Sequence, residues 1–309
     1  MARTAKGSLE GAITRCSPVL DSCKSILFAA RGKMVKKKVA GASVSNYQSE
    51  YVHTQIPDSL LPFAPITVVV GHYGVGKTNF SLNLAFDAKR LGKQVSVIDL
   101  DIVNPYFRSS DYRDMLEEAG INIISPVFAG STLDAPSLSG AIAPALERAD
   151  ENHLVIADVG GDDAGATALG RFKDSINVQY YRMLYVVNAY RNLSRSAEEA
   201  AQLLAEIEAK SGLCASGVVN NSHLKELTDT STIENAQDFA ERTATLANIP
   251  MLATALALPG DYSCGNGDKD KNGEKHKVSE VPTSLPLLSI PRVKNPYHVK
   301  VYVRTPWED

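Results

Sequence analysis

Hydrophobic and polar positions settle into a regular pattern only from about residue 63 onward; before that point no period is sustained. Short apolar runs then alternate with longer amphipathic stretches. Ile66–Val70, Val95–Ile98, Ile121–Ile124, Leu154–Ala157, Leu184–Val187 and Gly217–Val219 have the length and near-continuous apolar character of strands buried on both faces. Between them, Lys77–Leu91, Leu138–Ala149, Ala197–Lys210 and Thr232–Ala247 carry helical spacing. Residues 251–256 and 286–290 are candidates for two further strands, and His298–Val303 alternates as a strand does. Strand and helix repeated this often predict an α/β fold. The expected form is a doubly wound, mainly parallel sheet of about seven to eight strands with helices on both faces. Its crossovers are right-handed, and its ligand crevice lies at the carboxyl ends of the strands.

Two segments stand outside this pattern. Residues 1–60, rich in Ser, Ala and Lys, read as a basic, disordered N-terminal extension. A true start at Met34, an organelle transit peptide, and a basic patch for nucleic acid or anionic lipid are the competing readings. Residues 61–309 are expected to form a single domain, with 259–283 as a flexible Gly-, Asp- and Lys-rich surface loop. The Asp268/Asp270 spacing in that loop lacks the rest of a calcium motif.

Composition narrows the class. Hydrophobic content of 44% and charged content of 22% are those of a globular protein able to bury a sizeable core. The net charge of -3 is unevenly spread, because nine of the 32 Lys and Arg fall within residues 1–40. The body is therefore acidic, and nucleic acid is not an expected partner. Cys16, Cys23, Cys214 and Cys264 are scattered without a CxxC pair, which points away from zinc or redox motifs and towards a reduced, cytoplasmic setting. No apolar run reaches the ~18–20 residues that span a bilayer. The chain shows no terminal amphipathic helix, so no membrane anchor is expected.

The most specific signal is Gly71-His72-Tyr73-Gly74-Val75-Gly76-Lys77-Thr78, which satisfies GxxxxGK[ST] between an apolar strand and an amphipathic helix. Glycines let backbone amides fold into an anion-binding nest, and the helix amino terminus adds its positive end. Lys77 is expected to reach the β and γ phosphates and the Thr78 hydroxyl to ligate magnesium. Asn79, next on the helix, is grouped with the nucleotide-binding residues.

Carboxylates end two of the strands. Asp158 follows His153-Leu154-Val155-Ile156-Ala157 and is the candidate on the metal side. With Gly160 and Gly161 it forms DxxG, a spacing that lets the Gly161 amide sense a γ-phosphate; capping of a helix beginning near Asp162 or Asp163 is the competing reading. Asp99 and Asp101 end the second strand two residues apart, hence on one side of an extended segment. One is suited to ordering water around magnesium and the other to orienting an attacking water, against the alternative of helix capping or a solvated turn before Pro105.

These segments together resemble the MinD/ParA/CobQ-type nucleotide-binding domain of the P-loop superfamily, the SIMIBI class, over roughly residues 63–258. The resemblance implies ATP and Mg2+ as ligands. It implies Asp101 as the catalytic carboxylate orienting the hydrolytic water, with Asp99 assisting, and DVGGDD as the metal-side strand end and its switch. Leu184–Asn188 and Gly217–Asn221 look like the family's later strands, the second of which often ends in an Asn that reads the adenine edge. Asn220 is the matching candidate, with Asn221 close behind. Two departures stand out. His72 replaces the family's signature lysine, which reaches across a homodimer, and Tyr73 replaces a glycine. The trans-acting lysine therefore does not carry over, and a homodimer is left open. Arg108 and Arg191 follow strand ends and suit a phosphate or an acidic substrate, or a structural surface role.

Three functions follow. The first is a slow ATPase that switches conformation to act on an unidentified protein partner. The second is an ATP-dependent biosynthetic ligase of the dethiobiotin synthetase or CobQ type. No Cys–His glutaminase signature supports an amidotransferase. The third, a GTPase or metallochaperone, lacks both the NKxD guanine signature and paired cysteines.

Overall fold

The computed structural model describes residues 56–101, 112–125, 140–191, 196–257, 290 and 292–303. The expectations for the basic leader, for Arg108, for the segment after Asp101 and for the loop 259–283 lie outside these residues.

Among the described residues eight parallel strands form one sheet in the order β3-β2-β4-β1-β5-β6-β7-β8. They are β1 (Ile66–Val70), β2 (Gln94–Leu100), β3 (Asn122–Ile124), β4 (His153–Val159), β5 (Tyr181–Val187), β6 (Gly217–Asn220), β7 (Met251–Leu256) and β8 (Pro296–His298). The chain runs outward from β1 to β2 and β3, returns to place β4 between β2 and β1, then continues from β5 to the other edge. The turn after β1 therefore opens between β4 and β5, at the point where strand order reverses and α/β sheets bind ligands.

Alternation along β1 divides the interior. Ile66, Val68 and Val70 face one core and Val69 faces the other, all with at most 1% exposure. The first core is covered by α3 (Ile142–Glu147), α4 (Asp163–Gly170), α5 (Lys173–Asn177), α6 (Ala197–Ser211) and α7 (Thr230–Leu246). The second is covered by α1 (Lys77–Arg90) and α2 (Arg113–Glu118). The two longest helices start where side chains satisfy their free amides: Ser196 accepts from the Glu199 amide, and Asp229 forms a capping box with Thr232.

The departures from the sequence pattern have physical causes. The helices α2, α4 and α5 span six, eight and five residues, too few for a 3.6-residue period to stand out. Of the strand expected at 286–290 only Ile290 is described, and it lies outside any strand; the eighth strand is Pro296–His298. The alternation of 298–303 does not continue as strand beyond His298, because side chains of α1 take over the backbone groups. Asn83 Oδ1 accepts from the Lys300 amide at 2.8 Å, and Asn79 Oδ1 from the Tyr302 amide at 2.7 Å. Cys214 is disulfide-bonded, against the reduced setting expected from the scattered cysteines.

Candidate nucleotide site

The loop Gly71–Thr78 leaves β1 and enters α1 through Gly76, whose left-handed φ of 89° makes glycine the residue of choice there. A side chain at Gly76 would also collide with the Asn221 amide group. That amide is a brace: Asn221 Nδ2 donates to the Val75 carbonyl at 2.7 Å, and both Val75 and Asn221 are buried. Asn221 thus ties the end of β6 to the loop. The sequence ranked it behind Asn220, and only the tertiary contact distinguishes them.

Lys77, 7% exposed, donates from Nζ to the His72 carbonyl at 2.9 Å, folding back over its own loop. Burial lowers its pKa, while the carboxylates of Asp158, Asp101 and Asp162 act in the opposite sense. Its charged surroundings are therefore acidic. His72 is held below its usual pKa by burial and by the Lys77 charge, and its Nδ1 accepts from the Tyr73 amide at 2.7 Å. At neutral pH it is not a cation.

Asp99 and Asp158 are register partners on β2 and β4, 2% and 3% exposed. Burial raises Asp158 to about 7; Asp99 and Asp101 push the same way, while the Thr78 hydroxyl and Lys77 oppose them. Ser81 Oγ also donates to Asp158 Oδ1 at 3.2 Å. A carboxylate so desolvated, with Thr78 beside it, is a fitting donor pair for a hard cation that takes its remaining ligands from phosphate and water. Among the described residues no cluster of three or more His, Cys, Asp or Glu holds a metal by itself.

Asp99 and Asp101 are close but not equivalent. Asp99 Oδ1 accepts from the Asp101 amide at 2.9 Å, closing a tight turn, so Asp99 holds the strand end in shape. Asp101 lies further out, with its Oδ1 3.1 Å from where a Cβ on Gly160 would sit.

The segment after β4 packs directly on the loop. A Cβ at Gly161 would lie 2.6 Å from the Tyr73 amide nitrogen and 3.0 Å from Lys77 Nζ, a space only glycine leaves open. Asp162 caps α4 by accepting from the Gly165 amide at 2.8 Å, and its other oxygen accepts from the Tyr73 hydroxyl at 2.9 Å. The capping role weighed for this segment is real, and it coexists with contact to the loop.

Two other residues behave differently from one another. Asn220, 1% exposed, accepts at Oδ1 from the Ser222 amide, and its Nδ2 has no hydrogen-bond partner among the described residues. The same is true of Nδ2 of Asn188, at the end of β5. Asn79 instead spends its side chain on residues 300–303, donating to the Lys300 carbonyl and accepting from the Tyr302 and Val303 amides.

The family comparison matches this geometry to known sequences. Residues 66–259, more than half of the chain, match the family described as the CobQ/CobB/MinD/ParA nucleotide binding domain. The chain belongs to this family. It is a P-loop protein of the nucleotide-binding kind, and the loop Gly71–Thr78 lies within the matched span. No curated protein matched the chain. Among solved structures, the signal recognition particle 54 kDa protein of Aeropyrum pernix K1, in complex with GDP, shares 17% identity at a TM-score of 0.43. That match covers 65% of this chain and 43% of the other. FtsY from Mycoplasma mycoides shares 18% identity at a TM-score of 0.42, covering 60% of this chain and 57% of the other. FtsY from Thermotoga maritima shares 18% identity at a TM-score of 0.37, covering 60% and 59%. The chain thus spans about half the length of these proteins. Among the described residues no helix is long and apolar enough to cross a membrane.

Proposed function

We propose that the protein binds ATP with magnesium, hydrolyses it slowly, and uses the change between nucleotide states to act on a protein partner. The observation that carries this reading is the seating of Gly161 and Asp162 on His72, Tyr73 and Lys77. An anion entering the cradle competes with the His72 carbonyl for Lys77 and so acts on the segment capped by Asp162. In this reading Lys77 holds the β and γ phosphates, Thr78 and Asp158 face the metal, and Asp101 orients the attacking water. Asp99 fixes the position of Asp101 through its amide. The metal, when bound, neutralises charge shared between the β and γ phosphates. Buried Asn220 offers a donor to the base edge.

The test is steady-state ATP and GTP hydrolysis by the full chain beside Lys77→Ala and Asp101→Ala. Slow ATP turnover, lost by at least ~100-fold in both variants, supports the assignment. A clear preference for GTP sinks the ATP reading, and failure of the chain to bind any nucleotide sinks the whole proposal.

A second reading, an ATP-dependent ligase, is favoured by a cavity of about 530 Å³ beside the β3 edge, lined by Arg113, Arg148, Asn122, Ser125 and His153. Two arginines suit an acidic substrate. Arg148→Ala leaves basal hydrolysis unchanged under either reading, but abolishes stimulation by a carboxylate substrate only under the ligase reading.

A further inference from the structure

Arg191 follows β5 in a turn that several hydrogen bonds hold in place. Its amide donates to the Asn188 carbonyl, the Tyr190 amide to Asn188 Oδ1 at 2.9 Å, and the Ala189 amide to Ser222 Oγ at 2.8 Å. The Tyr190 hydroxyl extends the anchorage to the Thr232 carbonyl of α7. The backbone of Arg191 is thereby fixed relative to β6 and the Asn221 brace.

From this turn the Arg191 side chain reaches the crown of the phosphate loop. Its Nε lies 3.9 Å, and its Cδ 4.0 Å, from where a Cβ on Gly74 would stand, and nothing else comes within 4 Å of that point. Gly74 has φ of 70° and presents bare backbone, so an arginine stem lies against the loop and its fork continues past it. No hydrogen bond or ion pair among the described residues uses this guanidinium, and Arg191 is exposed. Its nearby titratable neighbour is not an anion. His223 is driven down to about 4, chiefly by burial, then by the charges of Arg191 and Lys225, and so is neutral.

The charge balance of the loop makes this arginine consequential. Lys77 is buried inside the cradle, and His72 on the loop is neutral. A nucleoside triphosphate brings several negative charges to a loop with one buried ammonium. A guanidinium is permanently charged and presents a planar fork matched to phosphate oxygens.

We propose that Arg191 contacts the phosphate chain of the bound nucleotide from the same chain, over the crown at Gly74, as a second cation beside Lys77. This rests on the nucleotide-binding reading above.

The experiment is titration of the full chain with Mg·ATP and Mg·ADP, for wild type, Arg191→Ala, Arg191→Lys and Lys77→Ala, with thermal unfolding measured for each. The expected result is a weakening of both nucleotides by roughly 10-fold or more in Arg191→Ala, since charge-assisted bonds of this kind contribute about 1.5–3 kcal/mol. Partial recovery is expected in Arg191→Lys, with the unfolding temperature unchanged in both. Binding by Arg191→Ala within twofold of wild type, while Lys77→Ala loses affinity, overturns this proposal and leaves the nucleotide site standing. A wild-type chain that binds neither nucleotide overturns both.

Discussion

The Tyr73 hydroxyl, in the loop after β1, donates at 2.9 Å to Asp162, the residue that caps α4 after β4. One carboxylate thus serves two elements, holding the Gly165 amide with one oxygen and the loop with the other. The phenol is pushed up to about 12, first by burial and then by Asp162, so it stays protonated and donates across the physiological range. The pair latches the loop to the start of α4.

Tyr73→Phe removes the latch and keeps the cap. Nucleotide is expected to bind a few-fold more tightly, because the latched arrangement no longer competes. Asp162→Ala removes both functions and additionally costs about 1 kcal/mol of stability through the lost cap. Titration with Mg·ATP and denaturant unfolding of the two variants separate the effects; equal affinity in Tyr73→Phe and wild type dismisses the latch.

Gly161→Ala places a methyl group against the backbone of His72 and Tyr73 and against Lys77 Nζ. Overpacking of this kind costs about 1–3 kcal/mol. The loop must shift, and nucleotide affinity is expected to fall at least ~10-fold while circular dichroism stays that of the folded chain. Unchanged affinity would show that the segment after β4 does not bear on the cradle.

Asn221→Ala leaves the buried Val75 carbonyl without its donor, at a cost of about 1–3 kcal/mol. Stability and nucleotide affinity should fall together, since the brace shapes the loop. Asn221→Asp, which cannot donate to a carbonyl when ionised, should be at least as damaging. Denaturant midpoints of both variants check this.

His223 supplies a pH dependence with a definite sign. Its folded pKa of about 4 lies below the ordinary 6.5, so between these values the unfolded chain takes a proton that the folded chain refuses. The stability this group protects is complete above about 6.5 and is lost as pH falls through that window to about 4. The loss amounts to about 3 kcal/mol at most, from 1.36 kcal/mol per pKa unit. His223→Gln should flatten the difference between unfolding free energies measured at pH 7 and pH 4.5. A wild-type slope retained in the variant assigns the effect elsewhere.

Much of this protein was legible in the residue order. Near-continuous apolar runs of strand length suit strands covered on both faces, and those of β1, β2 and β4 predict a parallel sheet. The cradle was legible for a related reason: GHYGVGKT concentrates glycines, a lysine and a hydroxyl in consecutive positions, so chemistry and sequence are local together. The capping of α4 by Asp162 was legible on the same terms, being a bond between residues three apart.

What the order of residues leaves open is whatever depends on crossing the sheet. That Asp99 faces Asp158 follows from β2 lying beside β4 although β3 comes between them along the chain. That Asn221 braces Val75, 146 positions away, separates it from Asn220, to which it is chemically identical. Asn79 stands beside Thr78 in sequence, yet its side chain turns to residues 300–303, because α1 offers that face to the end of the chain. Arg191 reads from sequence as either a phosphate-facing or a surface arginine, and only the turn after β5 sets it against Gly74. Local chemistry determined the elements and the cradle. Only the tertiary structure decided which distant side chains surround it, because a long-range contact is a property of the packed sheet and not of spacing along the chain.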